Sequence, residues 1–114
     1  MRWISKMRRI YYWYSDFLDF VYVRMFNPHR VQPYGYCPIQ AEGQLKTGEY
    51  YYFRSRNESW AVYISNDENE RFTEKSWVHR ENKYQQFEGG WITRREAIKN
   101  LNKAVKLYYK HKLN

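Results

Sequence analysis

The chain reads as one small α+β domain, an antiparallel sheet of three to four strands flanked by an N-terminal and a C-terminal helix. Three observations predict this. Apolar side chains recur at helical spacing over residues 3–26 and again over 93–112, as one buried helix face requires. Between them, residues 39–84 hold short, aromatic-rich runs broken by turn residues, the pattern of strands. The length of 114 residues, 43% of them hydrophobic, leaves room for one domain, 1–114, with one core.

In the first helix Trp3, Met7, Ile10, Tyr14, Phe17 and Val21 follow one another by fours and threes, so they share a face. Ile4, Tyr11, Leu18 and Met25 form a second row at intervals of seven. A helix apolar around more than half its girth has more surface than one sheet covers. One row is expected against the sheet, and the other against a second copy in a homodimer or against a host protein. Asn27-Pro28 ends the helix, because the residue before proline is driven out of helical geometry. The basic start and aromatic run have the outline of a leader or membrane anchor. Asp16, Asp19 and Arg24 interrupt it, and no small-residue cleavage site follows. The expectation is no membrane span and a cytoplasmic protein.

Residues 29–38 contain Pro33, Gly35 and Pro38 and read as an ordered loop. Four strands are expected over 40–45, 50–56, 60–65 and 76–84. Gly43 marks a bulge or a close backbone approach in the first. Turns fall at 46–49 and 57–59, a polar acidic loop at 66–71, and a break at Gly89-Gly90. The last helix opens with Thr93 three residues before Glu96, the spacing of a capping box. Ile98, Leu101, Val105 and Tyr108 form its apolar face, set among seven lysines and arginines.

The composition narrows the function. Twenty Lys and Arg against twelve Asp and Glu give a net charge of +8, which attracts polyanions. Aromatic residues are 21% of the chain, 13 of them Tyr, and such rings suit stacking surfaces and interfaces. Cys37 is the single cysteine, so neither an intrachain disulfide nor a cysteine-based zinc site is available, and it is read as a small buried filler. His29, His79 and His111 are scattered, and no metal, nucleophile or phosphate-loop motif is present. A protein without cofactor or metal, binding rather than catalysing, is the expectation. A minor alternative uses Glu42 as a general base, in a small polar centre with Arg54.

The informative segment is Tyr50-Tyr51-Tyr52-Phe53-Arg54-Ser55-Arg56. Strand alternation puts Tyr50, Tyr52, Arg54 and Arg56 on one face and Tyr51 and Phe53 on the other. Burying Tyr51, Phe53, Trp60, Val62 and Ile64 leaves Tyr50, Tyr52, Arg54, Arg56 and Tyr63 on an open face. Rings there stack on bases at about 1–3 kcal/mol each, and guanidinium groups grip phosphate in bidentate geometry. The expected ligand site is Tyr50, Tyr52, Arg54, Arg56 and Tyr63, with Trp60 supporting the platform and Glu42 beside it. Arg8, Arg9, Arg94, Arg95, Lys99 and Lys103 are expected to steer a polyanion towards it. The competing arrangement packs these rings under a second layer and pairs the arginines with Glu42 and Glu49 across the sheet.

The run Cys37-Pro38-Ile39-Gln40-Ala41-Glu42-Gly43, with Tyr52-Phe53-Arg54-Ser55-Arg56 and Ser59-Trp60 after it, resembles a pattern in small uncharacterised phage and bacterial proteins. Their common form is Pro, Val or Ile, Gln, Ala, Glu, Gly, a turn, and Tyr-Phe-Arg-Ala-Arg. This chain has Ser55 where that form often has Ala. The resemblance covers residues 37–65 and implies a phage-type accessory protein, acting in the host cytoplasm, without assigning an activity. The expected function is therefore a binding module holding nucleic acid or an anionic nucleotide. Its alternative is a module that inhibits a host factor through the aromatic helix.

Overall fold

The computed structural model describes residues 2–35, 38–85, 89 and 92–113, with side chains described from residue 13 onward. Helix α1 spans Arg2–Met25, strands β1 to β4 span Ile39–Gln44, Tyr50–Arg56, Ser59–Ser65 and Trp77–Asn82, and helix α2 spans Arg94–Leu113. A 3-10 turn at Glu68–Glu70 lies in the polar loop between β3 and β4. The α+β arrangement expected from the sequence is the one observed. Cys37 and Gly90 fall outside the described residues.

The strands pair in sequence order, each antiparallel to the next. Register follows from which side chains need burial, since a slip of one residue would turn every apolar group outward. Ile39, Ser55, Trp60 and Glu81 lie in one cross-strand row, Ala41, Phe53, Val62 and His79 in the next, and Gly43, Tyr51, Ile64 and Trp77 in a third. These three rows form the inner face. Gly43 is paired in register with Tyr51 rather than bulged, and a side chain there would meet the Tyr51 hydroxyl at 3.2 Å and its ring at 3.4 Å. The close approach, not the bulge, explains the glycine.

Helix α2 covers the inner face with Ala97, Ile98, Leu101, Ala104, Val105 and Tyr108, all buried with the inner sheet residues in one cluster. Its first turn is held by Thr93, whose Oγ1 accepts from the Glu96 N–H at 3.1 Å. Only half of the expected capping box forms, because the Glu96 carboxylate accepts instead from Lys83 Nζ at 2.6 Å and from the Tyr84 hydroxyl at 3.1 Å.

Helix α1 was expected to lay one row on the sheet, and it packs beside α2 instead. Arg95 donates to the Ser15 carbonyl at 2.8 Å and pairs with Asp19 at 3.3 Å. Lys99 sits 5.6 Å above the Tyr22 ring, and Asn102 donates to the Phe26 carbonyl at 3.2 Å. These contacts climb both helices together, so the helices run in the same direction. α2 begins opposite Ser15, and the first turns of α1 extend past it, which accounts for a longest dimension of 55 Å against 30 and 24 Å. Polar cross-links of this kind would be unnecessary on an apolar seam. They are needed here because the sheet has already taken the apolar face of α2.

Candidate anion-binding face of the sheet

Pleating sends the other half of each strand outward. On this outer face Gln40, Arg54, Ala61 and Arg80 form one cross-strand row, and Glu42, Tyr52, Tyr63 and Val78 form the next. Arg56, Ser59 and Asn82 make a third row towards the β2–β3 hairpin. Neither helix covers this face.

Three features give it chemistry. Along the middle of the face β3 offers only Ser59 and Ala61, so a trough of about 550 Å³ opens between the side chains of β2 and β4. Arg54 and Arg56 wall one side, Arg80 and Asn82 the other, with Tyr63 at one end and the hairpin residues Asn57 and Glu58 at the other. Arg54 and Arg56 are exposed, and among the described residues no carboxylate lies within ion-pairing distance of Arg54, Arg56 or Arg80. Arg80 donates to the Tyr63 hydroxyl at 3.1 Å, an interaction that fixes its position and leaves its charge uncompensated.

The hairpin places these arginines. Asn57 takes a positive φ of 56° at the tip, a conformation Asn tolerates better than most residues, and Arg56 pairs directly with Ser59. Behind the tip, Gly89 donates its N–H to the Asn57 carbonyl at 2.7 Å, and the buried Ser55 hydroxyl donates to the Gly89 carbonyl at 2.6 Å. The strand end carrying Arg56 is therefore clasped from its inner side, while its outer side stays open.

Beyond Tyr63 lies a group of rings. Phe72 meets Tyr52 edge-on at 5.1 Å between centroids and tilts over Tyr63 at 5.8 Å. It is 65% exposed, so one edge of the group faces solvent. The Tyr52 hydroxyl donates to the Gln40 side chain, and burial above all raises its pKa, with Arg54 pulling the other way. It stays a neutral donor and its ring is held in place.

The sequence-derived site is thus brought together in part. Tyr52, Arg54, Arg56 and Tyr63 share the outer face as expected. Tyr50 is on that face too, one row past Tyr52, opposite Gln44 and Ser65 and away from the trough. Trp60 lies on the inner face as expected, but its place in the ligand site is corrected: it is 1% exposed and packs at a tilt against Phe53 and His79, so it cannot meet a ligand. Glu42 reaches Arg71 at 3.4 Å, and it is Arg71, not Arg54, that takes its charge. Glu49 is buried beneath the end of α2 and pairs with Lys112 at 3.1 Å. The cross-strand pairing of the arginines with Glu42 and Glu49 is therefore not formed.

The steering residues are corrected as well. Arg94, Arg95, Lys99 and Lys103 belong to α2, on the opposite side of the sheet from the trough. Arg95 is tied to Asp19, and Lys103 to Glu81 at 2.8 Å. Arg8 and Arg9 lie in α1 among the side chains outside the described set. Sequence reasoning missed Arg80, Ser59, Asn82, Ala61 and Phe72. Alternation along β4 carried the signal for Arg80 and Asn82, since Trp77 and His79 claim the inner face; nothing in the loop sequence marked Phe72. Among the described residues no group of His, Cys, Asp and Glu side chains has the arrangement of a metal site. No described helix is long and apolar enough to cross a membrane. Comparison with protein-family models, curated proteins and solved structures found no match.

Proposed function

We propose that the protein is a non-enzymatic binding module that holds a nucleic acid or an anionic nucleotide on the outer face of its sheet. The observation that carries this reading is the set of three arginines, Arg54, Arg56 and Arg80, around one trough with no carboxylate paired to them among the described residues. Three cations converging on one groove repel each other, and an anion between them relieves that repulsion. Guanidinium groups pair with phosphate in bidentate geometry, and the adjoining rings of Tyr52, Tyr63 and Phe72 give a base a surface on which to stack. The resemblance of residues 37–65 supports placing this module in a phage-type accessory protein of the host cytoplasm.

The test is titration of the protein into a fluorescently labelled oligonucleotide and, separately, a labelled nucleotide, with the Arg54→Ala/Arg56→Ala variant alongside. Hydrogen bonds to charged groups contribute about 1.5–3 kcal/mol each, so the double variant is expected to bind at least about tenfold more weakly. Both side chains are exposed, and the variant should melt as the parent does. Equal binding by parent and variant would remove the reading.

A second reading rests on a separate observation. Trp13, Phe17 and Phe20 lie in one row on the side of α1 away from α2, and each is about half exposed or more. Trp13 and Phe17 stack at 5.8 Å. This row is a surface for a host protein or for a second copy, and it is compatible with ligand binding on the sheet.

A further inference from the structure

We infer that the ligand of the outer face is a single strand of nucleic acid, lying along β3 with successive phosphates on Arg54 and Arg56 and a base on the ring group. The inference rests on the function proposed above and narrows its ligand class. Four observations lead to it.

Arg54 and Arg56 are two residues apart on one strand and on one face, which separates their roots by about 6.6–6.8 Å. That is the step between neighbouring phosphates in an extended strand, and one phosphate does not need two such arms side by side along its path. Arg80 stands opposite Arg54 across Ala61, so the first phosphate is gripped from both walls. Ser59 and Ala61 carry short side chains, so a sugar-phosphate chain lies over them between the arginine walls, and Ser59 and Asn82 provide uncharged hydrogen-bonding groups beside the second phosphate.

The rings sit where a base must go. Tyr63 belongs both to the trough and to the ring group, and Phe72 extends that group towards solvent. A nucleotide with its phosphate on Arg54 and Arg80 has its base one strand step away, over Tyr63 and Phe72. A duplex keeps its base faces stacked internally and leaves these rings unused. The trough spans three strands, so its walls stand only about 9.5 Å apart at the backbone, narrower than a double helix. It is also open along its length, so a mononucleotide would remain largely in water and lose the contacts that a following residue of the chain supplies.

One side chain opposes the arrangement and makes it directional. Glu58 lines the hairpin end of the trough. A carboxylate there repels a third phosphate, so the strand leaves the sheet after Arg56.

The experiment compares three probes on the full chain: a short labelled oligothymidylate, the same strand annealed to its complement, and labelled ADP. The single strand should bind at least about tenfold more tightly than either of the others. Each phosphate released from its counterions contributes a salt slope of about 0.7 for single strands, so Arg54→Ala/Arg56→Ala should flatten the slope by about 1.4. Phe72→Ala should weaken the single strand by about fivefold or more with an unchanged salt slope, as loss of stacking alone does. Glu58→Gln should tighten it. If the duplex or ADP binds as well as the single strand while still depending on Arg54 and Arg56, this inference fails and the proposed function stands. If none of the probes binds, or binding is indifferent to Arg54 and Arg56, both fail together.

Discussion

Glu49 shows how one side chain ties the two layers together. It ends the turn after β1, is 3% exposed, and lies under the last turns of α2. Burial pushes its pKa up, but the Lys112 ammonium bonded to it and the polar groups of Thr47, Tyr108 and its own backbone around the carboxylate outweigh this and bring it from 4.5 down to about 2. A carboxylate with a folded pKa below its unfolded one stabilises the fold above the unfolded value, and that contribution is lost as pH falls through the folded value. Thermal stability is therefore expected to drop between about pH 4.5 and pH 2. Glu49→Gln should be less stable than the parent at pH 7 and should show a shallower fall over that interval, in melts followed by circular dichroism. The slope should be reduced rather than removed, because Glu81, hydrogen-bonded chiefly to His79, and Glu96, between Lys83 and Tyr84, also have lowered pKa values. Identical acid profiles for parent and variant would show that Glu49 does not hold this junction.

Among the elements, the hairpin β2–β3 carries both the core and the candidate site, and its position depends on the segment that follows β4. Gly89 is pressed against the hairpin so closely that an added Cβ would stand 2.8 Å from the Asn57 carbonyl oxygen and 3.2 Å from the Arg56 carbonyl carbon. Both neighbours are backbone and neither can swing aside. Gly89→Ala is expected to cost about 1–3 kcal/mol, in the range of an overpacked interior, measured by chemical denaturation. It should also weaken ligand binding, since it displaces the strand end that bears Arg56. A variant as stable as the parent would mean that the segment moves away at no cost. Much of this was legible beforehand. The alternation of Tyr50 to Arg56 placed Arg54 and Arg56 outward because buried Tyr51, Phe53 and Ser55 leave only one orientation. The break at Gly89 was legible too, but its partner was not, for a long-range backbone contact leaves no local pattern. The same limit hid Phe72, which belongs to a loop; Trp60 was placed on its buried face correctly, and that burial is what removes it from the ligand site. The α2 lysines misled for a related reason: charge in the sequence does not say which layer of the molecule it lies on.

At the scale of the whole molecule, two surfaces compete to explain the aromatic and basic composition, and salt separates them. The sheet face is cationic, and its affinity for a nucleic acid falls as salt rises. The α1 row is aromatic, with Trp13 68% exposed at its N-terminal end, and it is flanked in sequence by cations at Arg2, Lys6, Arg8 and Arg9 and at Arg24. Two copies meeting through this row would bring like charges together, so raising the salt concentration screens the repulsion and favours the pair. Rings of this size bury about 150–250 Å² each when fully exposed, and with Trp13, Phe17 and Phe20 each about half exposed or more they supply roughly 250–450 Å² per chain. That lies well below the roughly 800 Å² per partner of a standard stable interface. The expected behaviour is a weak, concentration-dependent dimer whose dimer fraction increases with salt, read by sedimentation velocity at two salt concentrations. Trp13→Ser/Phe17→Ser should be monomeric throughout and should keep its oligonucleotide binding. A parent chain that is monomeric at every concentration and salt would leave this row for a different protein to cover. Loss of oligonucleotide binding in the same variant would show instead that the helix and the sheet act as one surface.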